Sequence, residues 1–221
     1  MKPEITKYLE ELIKIISMPL AEIEKTLAVD STGISVAYGK KVWREIREEY
    51  QLHKQYLKLH IICGVKSNIV FSAKITIGTA HDSPPFKELL EKAVKITKAK
   101  ELCGDGAYAN RKTAELISSK GMIPYLMPRK DTVIRNKGSS VWGNMVRLWH
   151  NNLPLFKLHY HQRSNVESCF SMIKRKYSFY TRAKNETSQQ NEILRKIVCF
   201  NAGILSENLL ENPIINDYKP F

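Results

Sequence analysis

The sequence predicts an α/β fold, a mixed central sheet flanked by helices, and three observations carry that expectation. A short apolar run, LAVD at 27–30, ends in an acid followed by small residues. Two alternating segments, 56–65 and 69–77, are joined by only three polar residues, as in an antiparallel hairpin. Beyond them, amphipathic stretches alternate with further short apolar runs, which gives the order strand, hairpin, helix, strand, helix, strand, then two helices. With 221 residues, 43% of them hydrophobic, the chain is long enough to bury a sizeable core.

Each element has a local cause. Ile5, Leu9, Leu12, Ile13 and Ile16 recur at helical intervals, so residues 4–17 form a short amphipathic helix. TLAVDSTG reads as a strand that stops in a turn or bulge at its Ser, Thr and Gly. Residues 39–54 are charged and without period, an exposed connection with some helical turns. In 56–65, Leu57, Leu59, Ile61, Cys63 and Val65 share one face, with Tyr56, Lys58, His60 and Ile62 on the other. Ile69, Phe71, Ala73, Ile75 and Ile77 repeat the pattern, and Lys66, Ser67 and Asn68 make the turn. Prolines 84 and 85 open a helix carrying Phe86, Leu89, Leu90, Ala93, Val94 and Ile96. ELCGD is another strand ending in an acid. Asn110 caps a helix that Gly121 terminates, and IPYLMP follows as a strand. Residues 129–150, basic and rich in Gly, Ser and Asn, are expected to be a loop or small insertion. Val166, Phe170, Ile173 and Tyr177 mark a helix from His161 to about Tyr177, and 188–210 form the last one.

Charge narrows the function. The formal net charge is +13, and +10 of it falls between Arg129 and Lys184, where twelve Lys or Arg face two acids, Asp131 and Glu167. So concentrated a charge favours a polyanionic partner, and nucleic acid is the commonest. Cys63, Cys103, Cys169 and Cys199 lie far apart in apolar runs with no CxxC pair, which suggests reduced, buried thiols rather than a zinc site. No apolar run reaches the ~18 residues of a membrane span, and acids throughout the N-terminal segment argue against a secretory signal. No membrane association and a cytoplasmic, nucleoid-associated location are the expectation.

Asp30 and Asp105 each end a short strand and each precede small residues, where a sheet edge can present side chains to a ligand. Two carboxylates converging there repel unless a cation lies between them. Hard oxygen donors suit magnesium, and a pair of such ions can activate the attacking oxygen and stabilise the leaving oxygen of a phosphodiester. Glu167 is the candidate third carboxylate. Tyr160, Arg163, Glu167 and Lys174 share one face if the helix reaches back to Tyr160. Spacing alone leaves open a plain Arg163–Glu167 surface pair worth a few tenths of a kcal/mol.

Tyr160-x2-Arg163-x3-Glu167-x6-Lys174 resembles the Y-R-E-K signature of the DDE transposases of prokaryotic insertion sequences, matching at all four positions. LAVDSTG at Asp30, TAHDSPP at Asp82 and GDGAY at Asp105 are similar to the other family blocks and stand in the same order. The likeness spans residues 26–205. It implies an RNase H-like fold with Asp30, Asp105 and Glu167 as catalytic residues and as ligands of two magnesium or manganese ions. It also implies that Tyr160, Arg163 and Lys174 handle the transposon end. Arg175, Lys176, Arg182 and Lys184 extend that set as a phosphate track, though a solvated face is their plainer reading. Asp82 matches a family position outside the triad, and capping the next helix is its expected part. Trp142 and Trp149 could stack on bases or pack, and His159 and His161 are expected to add polar contacts near DNA rather than hold a metal.

Residues 1–25 are expected to be an N-terminal helix, remnant or linker, lacking the helical end-recognition domain usual in the family. Residues 26–212 make the catalytic domain with its basic loop 129–150, and 213–221 a tail. The implied function is metal-dependent cleavage and strand transfer at insertion-sequence ends by a homodimer on DNA, with transposon ends and target as partners. Two alternatives remain open: an inactive or domesticated DNA-binding remnant, and a nuclease that does not join strands.

Overall fold

A computed structural model describes residues 4–36, 56–134 and 138–211. Strand β1 (Thr26–Val36) lies at the centre, with β2 (Tyr56–Gly64) antiparallel on one side and β3 (Val70–Ile77) antiparallel beyond it. On the other side β4 (Glu101–Gly104) runs parallel to β1, and β5 (Ile123–Leu126) parallel to β4. The order β3-β2-β1-β4-β5, three antiparallel strands continued by two parallel ones and flanked by helices, is the mixed α/β sheet expected. A two-residue strand β6 (Tyr180–Thr181) pairs parallel with the far end of β1. The helices are α1 (Glu4–Ser17), α2 (Ser83–Ala93), α3 (Arg111–Ser119), α4 (Ser140–Asn151), α5 (Leu153–Tyr160), α6 (Ser164–Tyr177) and α7 (Glu186–Glu211). Among the described residues no helix is long and apolar enough to cross a membrane.

The sheet is buried on both faces. Leu57, Leu59, Ile61 and Cys63 on one side of β2, and His60 and Ile62 on the other, are all buried, so the simple alternation of an exposed hairpin becomes a two-sided core. The hairpin turn is fixed by a buried acid. Glu24 accepts hydrogen bonds from the amides of Lys66 (2.9 Å) and Ser67 (2.7 Å) and from the Ser67 hydroxyl (2.6 Å). Gly64 is required beside it, because a Cβ there would lie 2.3 Å from the Glu24 carboxyl carbon. Asn68 takes the left-handed φ of 63° that closes the turn.

Several expectations change. The turn expected after Asp30 is absent: β1 continues through Ser31, Thr32 and Gly33, which pair with His60, Leu59 and Lys58, so strand pairing overrides the local turn preference. Residues 140–151 of the expected basic loop are helical. Ser139 caps that helix by accepting from the Trp142 amide at 3.3 Å, and Met145 and Val146 are buried. Helix α5 and strand β6 were not anticipated. Helix α1 packs on α7 and β3, its Leu9 and Ile13 join the main core, and Thr6 donates to buried Asn191 at 2.8 Å. Cys63, Cys103 and Cys169 are buried, but Cys199 is exposed on α7. The connection expected over 39–54 lies outside the described residues, as does the tail 213–221.

Candidate active site

The parallel register of β1 and β4 sets Val29 against Gly104, so the next residues, Asp30 within β1 and Asp105 just past the end of β4, are neighbours. Gly104 is confined there: a Cβ would meet Val29 at 2.9 Å and Leu126 at 3.0 Å. The Asp105 carboxylate accepts from the Ala107 amide at 2.9 Å, closing the turn behind β4. Asp30 accepts from its neighbour's amide, Ser31, at 2.7 Å.

Glu167 reaches the same place from α6. One guanidinium joins it to Asp30: Arg163 Nη1 lies 3.1 Å from Asp30 Oδ2, and Nη2 lies 2.5 Å from Glu167 Oε1. The three acids act on one another through space. Burial lifts the Asp30 carboxyl from 3.8 to about 6, opposed by the Ser31 amide, reinforced by the charge of Asp105, opposed by Arg163 and reinforced by Glu167. Two carboxylates, Asp30 and Glu167, therefore face one resident cation while the charge of Asp105 also acts on Asp30, an arrangement whose negative potential favours a further positive charge. Hard, anionic oxygen donors fit a divalent ion of the magnesium type. Among the described residues no three His, Cys, Asp or Glu side chains stand close enough together to hold an ion as they are; the Arg163 guanidinium bridges Asp30 and Glu167 instead.

Of Tyr160 and Lys174, only Tyr160 lies beside this cluster. Tyr160 ends α5, and a single turn of 3-10 helix, His161–Arg163, leads into α6. The helix is thus tightened between Tyr160 and Glu167 rather than continuous. Tyr160 is half-buried and stacks on Phe156 at 5.8 Å. Burial raises its hydroxyl pKa, with Arg163 opposing and Asp105 and Asp30 adding to the rise. Lys174, at the exposed far end of α6, sits over the Phe179 ring at 4.7 Å. Lys176 is paired with Glu207 at 3.2 Å, and Arg182 donates to the Tyr180 hydroxyl at 2.6 Å. Arg175 and Lys184 are exposed.

Other expected contacts fall elsewhere. His159 stacks flat on Tyr125 at 4.5 Å and bonds Glu101 at 3.0 Å, a structural task at the base of β4. Trp142 and Trp149 pack against the core. Asp82 does not cap α2: it has right-handed helical backbone angles and no side-chain cap bond. Its Oδ1 instead accepts from the Ser31 hydroxyl at 2.5 Å and pairs with Lys58 at 2.8 Å. His60 Nδ1 stands 3.3 Å from the same oxygen. Sequence reasoning missed Ser31, Lys58 and His60; the available signal was two polar side chains on one face of β2, where an exposed alternation explained them equally well.

Among solved structures, the catalytic core domain of BIV integrase is similar over 86% of this chain and 99% of that one, at 9% identity. Its TM-score of 0.31 is too low for the likeness to carry an argument. No curated protein matches the sequence. Residues 22–202 match the family described as the transposase DDE domain. The span contains Asp30, Asp105 and the whole Tyr160 to Lys174 signature, and the chain belongs to the DDE transposase family.

Proposed function

We propose that this chain is the catalytic core of a DNA transposase that cuts at the ends of an insertion sequence and joins them to target DNA, with Asp30, Asp105 and Glu167 as its catalytic residues. The observation that supports this reading is that Arg163 bridges Asp30 on β1 to Glu167 on α6 while the charge of Asp105, just past the end of neighbouring β4, also acts on Asp30. The catalytic domain runs from about residue 26 to 212, with α1 as part of the same body.

Asp30, Asp105 and Glu167 would hold two magnesium or manganese ions, which when bound supply Lewis-acid activation of the attacking oxygen and neutralise charge on the leaving one. The chain's own residues do the rest. Arg163 holds the Asp30 and Glu167 carboxylates apart while no other cation balances them, and its guanidinium is the natural partner for a DNA phosphate. Tyr160 offers a ring face beside the acids for a terminal base. Lys174, Arg175, Lys176, Arg182 and Lys184 line the exit of α6 and draw the phosphate backbone toward the site. The first cut releases a 3′ hydroxyl, which attacks the target strand without a covalent enzyme intermediate. Joining two ends requires two active sites, so the working form on DNA is a homodimer.

The test is a titration of magnesium and manganese with a supercoiled plasmid and with oligonucleotides bearing the element's ends. Metal-dependent nicking and joining is the expected result. Binding without either points to a DNA-binding remnant, and nicking without joining points to a nuclease.

A further inference from the structure

Behind the three acids, on the other side of β1, lies a second polar cluster that the reaction described above leaves unused. Asp82 stands at the start of α2, where an acid ordinarily caps the helix, yet its side chain turns away to the sheet. One of its oxygens receives the Ser31 hydroxyl at 2.5 Å, the Lys58 ammonium at 2.8 Å and, at 3.3 Å, the edge of the His60 ring. His60 is wholly buried and its other nitrogen is bonded to Thr76 at 2.8 Å. The buried Tyr108 hydroxyl faces the same group without a well-formed hydrogen bond of its own. Such a cluster costs desolvation that apolar packing would avoid, so stability alone gives little reason for it at this place.

Ser31 supplies the reason. It is the only described residue that bonds both Asp30 and Asp82: its amide donates to Asp30 at 2.7 Å and its hydroxyl to Asp82 at 2.5 Å. Successive residues of a strand point to opposite faces, so Ser31 is gripped from the rear while Asp30 projects to the front. We propose that Asp82 is a positioning residue for the reaction centre, acting through Ser31 to fix the direction of the Asp30 carboxylate. The proposal rests on the reading of Asp30 as a metal ligand. Lys58 and His60 fix Asp82 in turn, so the β2 side of the cluster is the anchor and Ser31 the link. Outer partners of this kind orient the ligands, and their loss typically costs about ten- to a hundredfold in metal affinity.

The test is manganese binding to the full chain, followed by electron paramagnetic resonance without DNA, with thermal melting measured in parallel. Ser31→Ala and Asp82→Asn should each weaken manganese affinity by about tenfold, and the double variant should lose no more than the weaker single one, since both break one link. Thr76→Val, which disturbs the far side of His60, should lower the melting temperature and leave the affinity unchanged. Should Asp82→Asn fail to fold, Ser31→Ala carries the comparison alone. Wild-type affinity in Ser31→Ala and Asp82→Asn, with affinity lost in Asp30→Asn, overturns the positioning role. Wild-type affinity in Asp30→Asn overturns the underlying reading of the site instead, and the proposal with it.

Discussion

Arg163 Nη1 lies 3.1 Å from Asp30 Oδ2 while the same guanidinium holds Glu167, so the countercharge of these two acids is a side chain that a phosphate can compete for. A phosphate that captures Arg163 removes the countercharge from Asp30 and Glu167, and a metal ion is then the charge that replaces it. DNA binding and metal binding are therefore expected to favour each other.

Arg163→Gln separates the two. Without DNA it should bind manganese about tenfold more tightly, because a unit charge a few ångströms away is worth about 1–2 kcal/mol after solvent screening. Its affinity for element-end DNA should fall, with the salt dependence reduced by about one phosphate contact. Calorimetry with manganese alone and a DNA-binding isotherm at several salt concentrations check both.

Stability against pH gives a second prediction. Asp30 has its folded pKa raised from 3.8 to about 6 by burial, so its charging destabilises the fold as pH rises through 6, and the penalty is absent below about 4. His60 has its pKa lowered from 6.5 to about 4 by burial, so its contribution is complete above 6.5 and is lost as pH falls toward 4. The two slopes oppose each other over the same window. Asp30→Asn should therefore be more stable than the wild type by about 1–2 kcal/mol at pH 7.5 without metal. It should also lose stability more steeply between pH 6.5 and 4. Urea unfolding across that range is the measurement.

Asn201 on α7 mimics a neighbouring strand at the edge of β3, accepting from the Val70 amide at 2.9 Å and donating to the Val70 carbonyl at 2.7 Å, all of it buried. Asn201→Leu leaves both backbone groups unpaired and should cost about 2–4 kcal/mol. Manganese affinity should not change, since β3 is two strands from β1.

The basic residues after α6 are not equivalent. Lys174 lies over an aromatic ring and pairs with no acid among the described residues, whereas Lys176 is matched by Glu207. Lys174→Ala should weaken end binding and lower the salt slope by about one, and Lys176→Ala should do so by less, as salt-dependent binding assays would show.

The sheet was legible because its signals are local: alternation in β2 and β3, the apolar runs that lead into Asp30 and Asp105, and Asn110 capping α3 by accepting from the Thr113 amide at 2.9 Å. Helix α4 was hidden because its apolar positions, Val141, Met145, Val146 and Leu148, follow a polar segment that masks the period. The far half of β1 was hidden because Ser31, Thr32 and Gly33 favour a turn and are held extended only by pairing with β2. At the site, spacing suggested the Arg163–Glu167 contact but could not reveal that the same arginine reaches Asp30, a residue 133 positions away. Nor could it reveal that Asp82 serves the sheet rather than its own helix.

The central claim is that Glu167 acts with the two aspartates in chemistry rather than as half of a surface ion pair. Cleavage of an element-end oligonucleotide by Glu167→Gln in manganese, measured in single turnover beside DNA affinity, decides it. The account predicts a loss of cleavage of at least about a thousandfold, or about 4 kcal/mol, with DNA affinity within a few fold of wild type. Cleavage within tenfold of wild type would contradict it.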